Sequence, residues 1–219
     1  MMHTAIAFLL SLFVVTVTQA QGFKFSNEDP AEKAEKAREA DRQVGVQWLL
    51  ATPCKARIKN QRIMVLIGEE RNGLVYASQL SYDPHFNAIN DRLKAAGLRT
   101  YTREEIYRQI TQAVIEAYLR NDTAGALNAA KRLAAQYILR GVIVTQAGRN
   151  RIVNVNQVSV SMDFTLTDTD GRLISQASAT NESFAGRDTT QMALTLINEK
   201  ADEVVAKLYS DYCQKADAR

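Results

Sequence analysis

The chain has 219 residues, 46% hydrophobic and 23% charged, with 27 lysines and arginines against 24 aspartates and glutamates. That is the make-up of an ordinary globular domain with room for a core of its own. A net charge of +3, with basic residues scattered among acidic ones, excludes the basic stripe of a nucleic-acid-binding domain.

The first twenty residues are of a different material. "TAIAFLLSLFVVTV" (Thr4 to Val17) carries no charge, and Thr18 and Ala20 supply small residues at the −3 and −1 positions of a cleavage site. This pattern predicts a secretory signal peptide over residues 1–20, cut after Ala20, and a periplasmic address. An uncleaved N-terminal anchor is the competing reading, although the apolar run is short for a membrane span. No cysteine stands at the cleavage point to take a lipid, so membrane association is expected to be peripheral at most. In an oxidising compartment the two cysteines, Cys54 and Cys213, are expected to form a disulfide. That bond would close most of the exported chain into one loop and tie its N-terminal segment to its last helix.

Residues 21–58 read as a flexible lead-in followed by a helix, and residues 59–219 as an α/β domain. Asp29 and Pro30 form an N-cap and first-turn pair for a helix reaching Leu50. Its first half offers only alanines as an apolar face, whereas Val44, Val46, Trp48, Leu49 and Leu50 can pack. "RIMVLIG" (Arg62 to Gly68) is a short, continuous apolar run, the mark of a strand buried on both faces. Glu69 to Tyr82 reads as a connection that leaves room for a partly ordered middle. Asp83 and Pro84 open a second helix reaching Gly97, with Phe86, Ile89, Leu93 and Ala96 on one face. "LRTY" (Leu98 to Tyr101) is a short strand.

Thr102 and Glu105 make a capping box, and the helix it starts shows Ile106, Ile110, Val114 and Leu119 at helical spacing. A further helix is expected from about Asp122 to Gln136, carrying Leu127, Ala130, Leu133 and Ala134. A strand then runs from about Tyr137 to Gln146. In it Arg140 shares the parity of Ile138, Val142 and Val144, so strict alternation points a charge into the core. A bulge at Gly141 or a long stem reaching the sheet's rim would relieve that conflict. Val158, Val160, Met162, Phe164 and Leu166 alternate with polar residues. The Asp-Gly of "TDTDG" (Thr167 to Gly171) then turns the chain into a second strand from Leu173, a half-buried hairpin. Asp188 and Gln191 cap a long last helix with Leu194, Ile197, Ala201, Val204, Leu208 and Tyr212 on one stripe. The expected fold is a single mixed β-sheet covered by helices, with an extra N-terminal helix.

Chemistry-bearing patterns are few. One histidine, His85, follows residue 20, and it reads as a surface or partly buried helix residue. Glycines 68 and 73 stand at phosphate-loop spacing, but Leu74 and Val75 occupy the places of the lysine and hydroxyl residue. Glu69 and Glu70 sit at the carboxyl end of a strand, where ligands of open α/β sheets often bind, yet consecutive side chains of a strand diverge. No catalytic, cofactor or metal residues are assigned.

The order of elements, and the stretches "GLRTYTREEI", "AAKRLAAQYILRGVIVTQ" and "DTDGRLI", resemble envelope proteins built on the TolB N-terminal-like fold. That group includes the curli-assembly pore family and LpoB-type accessory domains, and the resemblance spans about Arg62 to Tyr212. It implies a TolB N-terminal-like sheet and a non-catalytic accessory or scaffolding domain. Such a domain would bind a protein partner in a larger complex of the bacterial envelope, without a cofactor and without nucleic acid. An LpoB-like regulator of cell-wall synthesis is the narrower alternative. A small hydrolase or ligand-binding enzyme centred on Glu69 and Glu70, with His85 as a candidate third member, is the contrasting one, and the edge strands leave room for a homo-oligomer.

Overall fold

A computed structural model describes residues 30–54, 60–71, 74–77, 84–152, 154–186 and 188–215. The expected signal peptide and lead-in lie outside the described residues. The chain forms two compact units, residues 1–37 and 38–219. Of the first, the described part is the beginning of helix α1 (Pro30–Leu50), where Lys36 reaches back to Glu32 at 2.9 Å.

In the second unit α1 continues to Leu50. Among the five residues expected to pack there, Val46 is buried and Leu50 lies against the core, while Val44 and Trp48 are 70% and 71% exposed. Apolar residues two apart on a helix point in different directions, so one packed stripe could not hold them all.

The strands form one mixed sheet in the order β2–β1–β4–β5–β6, with β3 beside β1. Strand β1 (Arg62–Arg71) runs parallel to β4 (Tyr137–Asn150) and to the two-residue β3 (Arg99–Thr100). Strands β5 (Val155–Asp168) and β6 (Leu173–Ala185) continue from β4 as an antiparallel meander. Strand β1 is buried without interruption from Ile63 to Glu69, because helices cover both its faces. Ile63, Val65 and Ile67 point to one side, where α2 (Pro84–Ala95) and the long α6 (Thr189–Lys215) lie. Met64 and Leu66 point to the other, under α3 (Arg103–Tyr107), α4 (Gln112–Leu119) and α5 (Ala124–Arg132). Each such side chain, fully buried, contributes about 1.5–3 kcal/mol.

Three expectations need correction. The segment from Glu69 to Tyr82 is not all connection. Strand β1 runs on to Arg71 and pairs antiparallel with β2 (Leu74–Ala77), Gly68 facing Ala77 and Arg71 facing Leu74. The helix opened by Thr102 is two helices, because Thr111 is extended (φ −80°, ψ 157°) and lets Ile110 drop into the core. Helix α5 ends at Arg132, with Ala134 past its end at φ +55° and exposed rather than packed. The Ala135 N–H there bonds back to the Ala130 carbonyl at 2.9 Å, the closure of a helix stopped by a left-handed residue.

Other local signals act as read. The Thr102 hydroxyl accepts from the Glu105 N–H at 3.2 Å and the Glu105 carboxylate from the Thr102 N–H at 2.7 Å. Glu105 also takes two bonds from Arg62, at 2.7 and 2.9 Å, while that guanidinium stacks 3.7 Å over the Tyr101 ring. Hydrogen bonding from Arg62 first, and from Thr102, holds the Glu105 carboxyl below its ordinary value. The Asp168 carboxylate accepts from the Asp170 and Arg172 N–H groups, at 3.0 and 2.9 Å, and Gly171 at φ +86° completes the β5–β6 turn. The Asp188 carboxylate accepts from the Gln191 N–H at 2.8 Å at the start of α6. Cys54 and Cys213 are disulfide-bonded, with Cα atoms 4.7 Å apart, fixing the end of the N-terminal helical segment to the last turns of α6.

Candidate functional site

The sheet separates the two adjacent glutamates. Glu69 follows Ile63, Val65 and Ile67 in parity and points to the α2–α6 side, whereas Glu70 points to the other face. They cannot act on one substrate atom as an acid–base pair.

Glu69 instead meets His85, sixteen residues on. Helix α2 begins at Pro84, which places His85 in its first turn, and its Nδ1 lies against Glu69 Oε1. Glu69 is 4% exposed and His85 6%, so the histidine is buried, not superficial. A carboxylate and an imidazole withdrawn from water together are stable only as a pair, and removing one leaves the other uncompensated. The arrangement joins the carboxyl end of β1 to the start of α2. The sequence grouped His85 with Glu69 and Glu70 as one alternative, but which glutamate it meets depends on strand parity and on where α2 returns. Among the described residues no three metal-ligating side chains come together.

Arg140 resolves its conflict in a third way. The register of β4 with β1 and with β5 is continuous through Arg140 and Gly141, so there is no bulge. The half-buried guanidinium turns to the end of α4, donating from Nε to the Tyr118 carbonyl at 3.2 Å and from Nη2 to the Leu119 carbonyl. The last carbonyls of the helix carry the negative end of its dipole, so a cation there is favourable beside the Asn121 N–H that the Tyr118 carbonyl also accepts at 3.0 Å. Burial raises the neighbouring Tyr118 phenol above its ordinary value, against a hydrogen bond to Thr167 and the charge of Arg140. Gly141 serves the opposite face, where a Cβ would collide with the ring edge of the fully buried Phe164.

The remaining feature with the shape of a site is the face of the sheet that carries Arg140, where it continues over β5 and β6. Its exposed positions include Gln146 on β4, Asp163 on β5 and Gln176, Ser178, Thr180 and Glu182 on β6. A groove of about 460 Å³ lies across these strands, lined by Val144, Gln146, Ser159, Ser161, Thr180 and Glu182 among others. Its hydroxyls, amides and one carboxylate suit hydrogen bonding to a partner, with an apolar floor at Val144.

Compared with protein-family models and with curated protein sequences, the chain matches none. Among solved structures it is similar to the PelC dodecamer from Paraburkholderia phytofirmans, at 17% identity over 71% of this chain and 92% of that one, with a TM-score of 0.39. A hypothetical protein from Chlamydia trachomatis shows 14% identity over 70% of this chain and 98% of that one, TM-score 0.47. The LpoB C-terminal domain from Salmonella enterica shows 15% identity over 55% of this chain and 82% of that one, TM-score 0.36. At these scores the likenesses assign no function.

Proposed function

We propose that this chain is an exported accessory domain without catalytic activity, which binds a protein of a larger cell-envelope complex through the open face of β4, β5 and β6. The observation that carries the reading is the groove itself, a hydrogen-bonding surface of about 460 Å³ on rigid strands. Strands hold such groups in fixed positions at little ordering cost on binding. Export rests on the first twenty residues, and the Cys54–Cys213 bond suits an oxidising compartment. The enzyme reading has one observation in its favour, the meeting of Glu69 and His85, but both groups are buried and Glu70 stands on the other side of the sheet. The narrower role, regulation of cell-wall synthesis, predicts that the purified chain changes the rate of a cell-wall synthase.

The experiment compares the native chain with a Gln146→Arg, Ser161→Arg variant, each immobilised and exposed to an extract of its own envelope. A protein retained by the native chain and lost with the variant supports the proposal. Equal retention by both, or retention by neither, counts against it.

A further inference from the structure

Strand β6 closes the sheet at one side with 13 residues, Leu173–Ala185. An edge strand of that length presents a row of N–H and C=O groups to any matching strand, and proteins usually blunt such edges with proline, lysine or a short strand. The sequence "LISQASATNESFA" contains no proline and no basic residue, and Glu182 is its one charge. The opposite side of the sheet ends in β2 and β3, of four and two residues.

The order of side chains along β6 is self-complementary. Leu173 pairs with Thr167 and Phe184 with Gln157, so both lie on the open face, and each is 56% exposed. One residue of irregularity beside Leu166 and Thr167 shifts Leu173 into the parity of the even-numbered residues. A second β6 laid antiparallel about a two-fold axis at Ala179 then sets Leu173 opposite Phe184, Gln176 opposite Glu182 and Ser178 opposite Thr180. Both exposed hydrophobes gain a partner and no like charges meet. On the other face a hollow of about 300 Å³ beside Ser178, Ala179 and Thr180 is lined by Lys200 and Glu203 of α6. These two form an ion pair within the chain, at 3.5 Å.

We infer that the chain forms a two-fold dimer by antiparallel pairing of β6 with β6 of a second copy, joining two sheets into one. The interface is isologous, as a closed dimer requires. It borders the groove, whose wall on β6 at Thr180 and Glu182 adjoins the axis while its floor at Val144, Ser159 and Ser161 lies on β4 and β5, so the mass of the purified chain alone, with no envelope protein present, tests the dimer separately. Sedimentation equilibrium of the full chain is expected to give twice the chain mass. A Ser178→Lys, Thr180→Lys variant, which sets like charges opposite each other at exposed positions, is expected to give the single mass with an unchanged circular dichroism spectrum. If that variant does not fold, Phe184→Lys at the strand's end tests the same contact. A native chain that stays monomeric across a wide concentration range overturns the inference. So does a dimer that persists in a folded variant.

Discussion

Removing the Cys54–Cys213 bond tests how the fold is held together. The bonded residues are 159 positions apart, so the bond confines most of the unfolded chain to one loop. Loop-closure entropy for a ring of that size amounts to roughly 17 cal/mol/K, or about 5 kcal/mol at room temperature, an upper value when the unfolded chain is compact. For a chain of this size about 1 kcal/mol moves the melting temperature by roughly 2–4 °C, so a loss of roughly 10–20 °C is the ceiling. The perturbation is Cys54→Ala with Cys213→Ala, alongside the native chain held in reductant. The assay is urea unfolding followed by circular dichroism, and the two samples should lose similar stability. Cys213 is buried and Cys54 packs against the core, so the double variant also leaves small voids and should be the weaker of the two. A loss below about 1 kcal/mol in both samples would refute the reasoning, because the loop would then cost little to close without the bond.

Arg140→Met should lower stability by about 1–3 kcal/mol, the scale of lost hydrogen bonds from a charged donor, as read by thermal denaturation. Arg140→Lys should lose less, and a neutral Arg140→Met would show that the guanidinium does not hold α4. Gly141→Ala should cost about 1–3 kcal/mol through overpacking against Phe164, and adding Phe164→Leu should recover part of it; strict additivity of the two would contradict that geometry. Ala134→Gly should raise the melting temperature, since an exposed left-handed alanine is strained by about 1–2 kcal/mol and glycine is not. Glu105 is held below its ordinary 4.5 by Arg62, so the fold favours its charged form. Its contribution is complete above about pH 4.5 and lost as pH falls through the depressed value, so Glu105→Gln, which can keep the cap, should flatten the acid limb of the stability profile. An unchanged acid limb would remove Glu105 from the account.

The sequence was most informative where chemistry is local. The alternation from Val158 to Leu166, the Asp-Gly turn and the Thr102–Glu105 capping box each depend on residues within one turn or one strand, and each appears as read. Strand β2 escaped because four residues are too few for a periodic signal, although Asn72-Gly73 is a favoured two-residue hairpin connection. The parity conflict at Arg140 was visible, but its resolution lies in carbonyls of a helix some twenty residues away. The Glu69–His85 pair likewise needs the three-dimensional return of α2. The groove over β5 and β6 was invisible for a different reason: alternating serines and threonines read the same whether they face water or a partner.

The central claim is that the open face of β4, β5 and β6 meets another protein of the envelope. Photo-crosslinking residues placed at Gln146 and Ser161, and at the exposed Lys94 on α2, would test it directly in living cells. The account predicts a discrete adduct with a different protein from Gln146 and Ser161 and none from Lys94. Adducts equal at all three positions, or absent from Gln146 and Ser161, would contradict it.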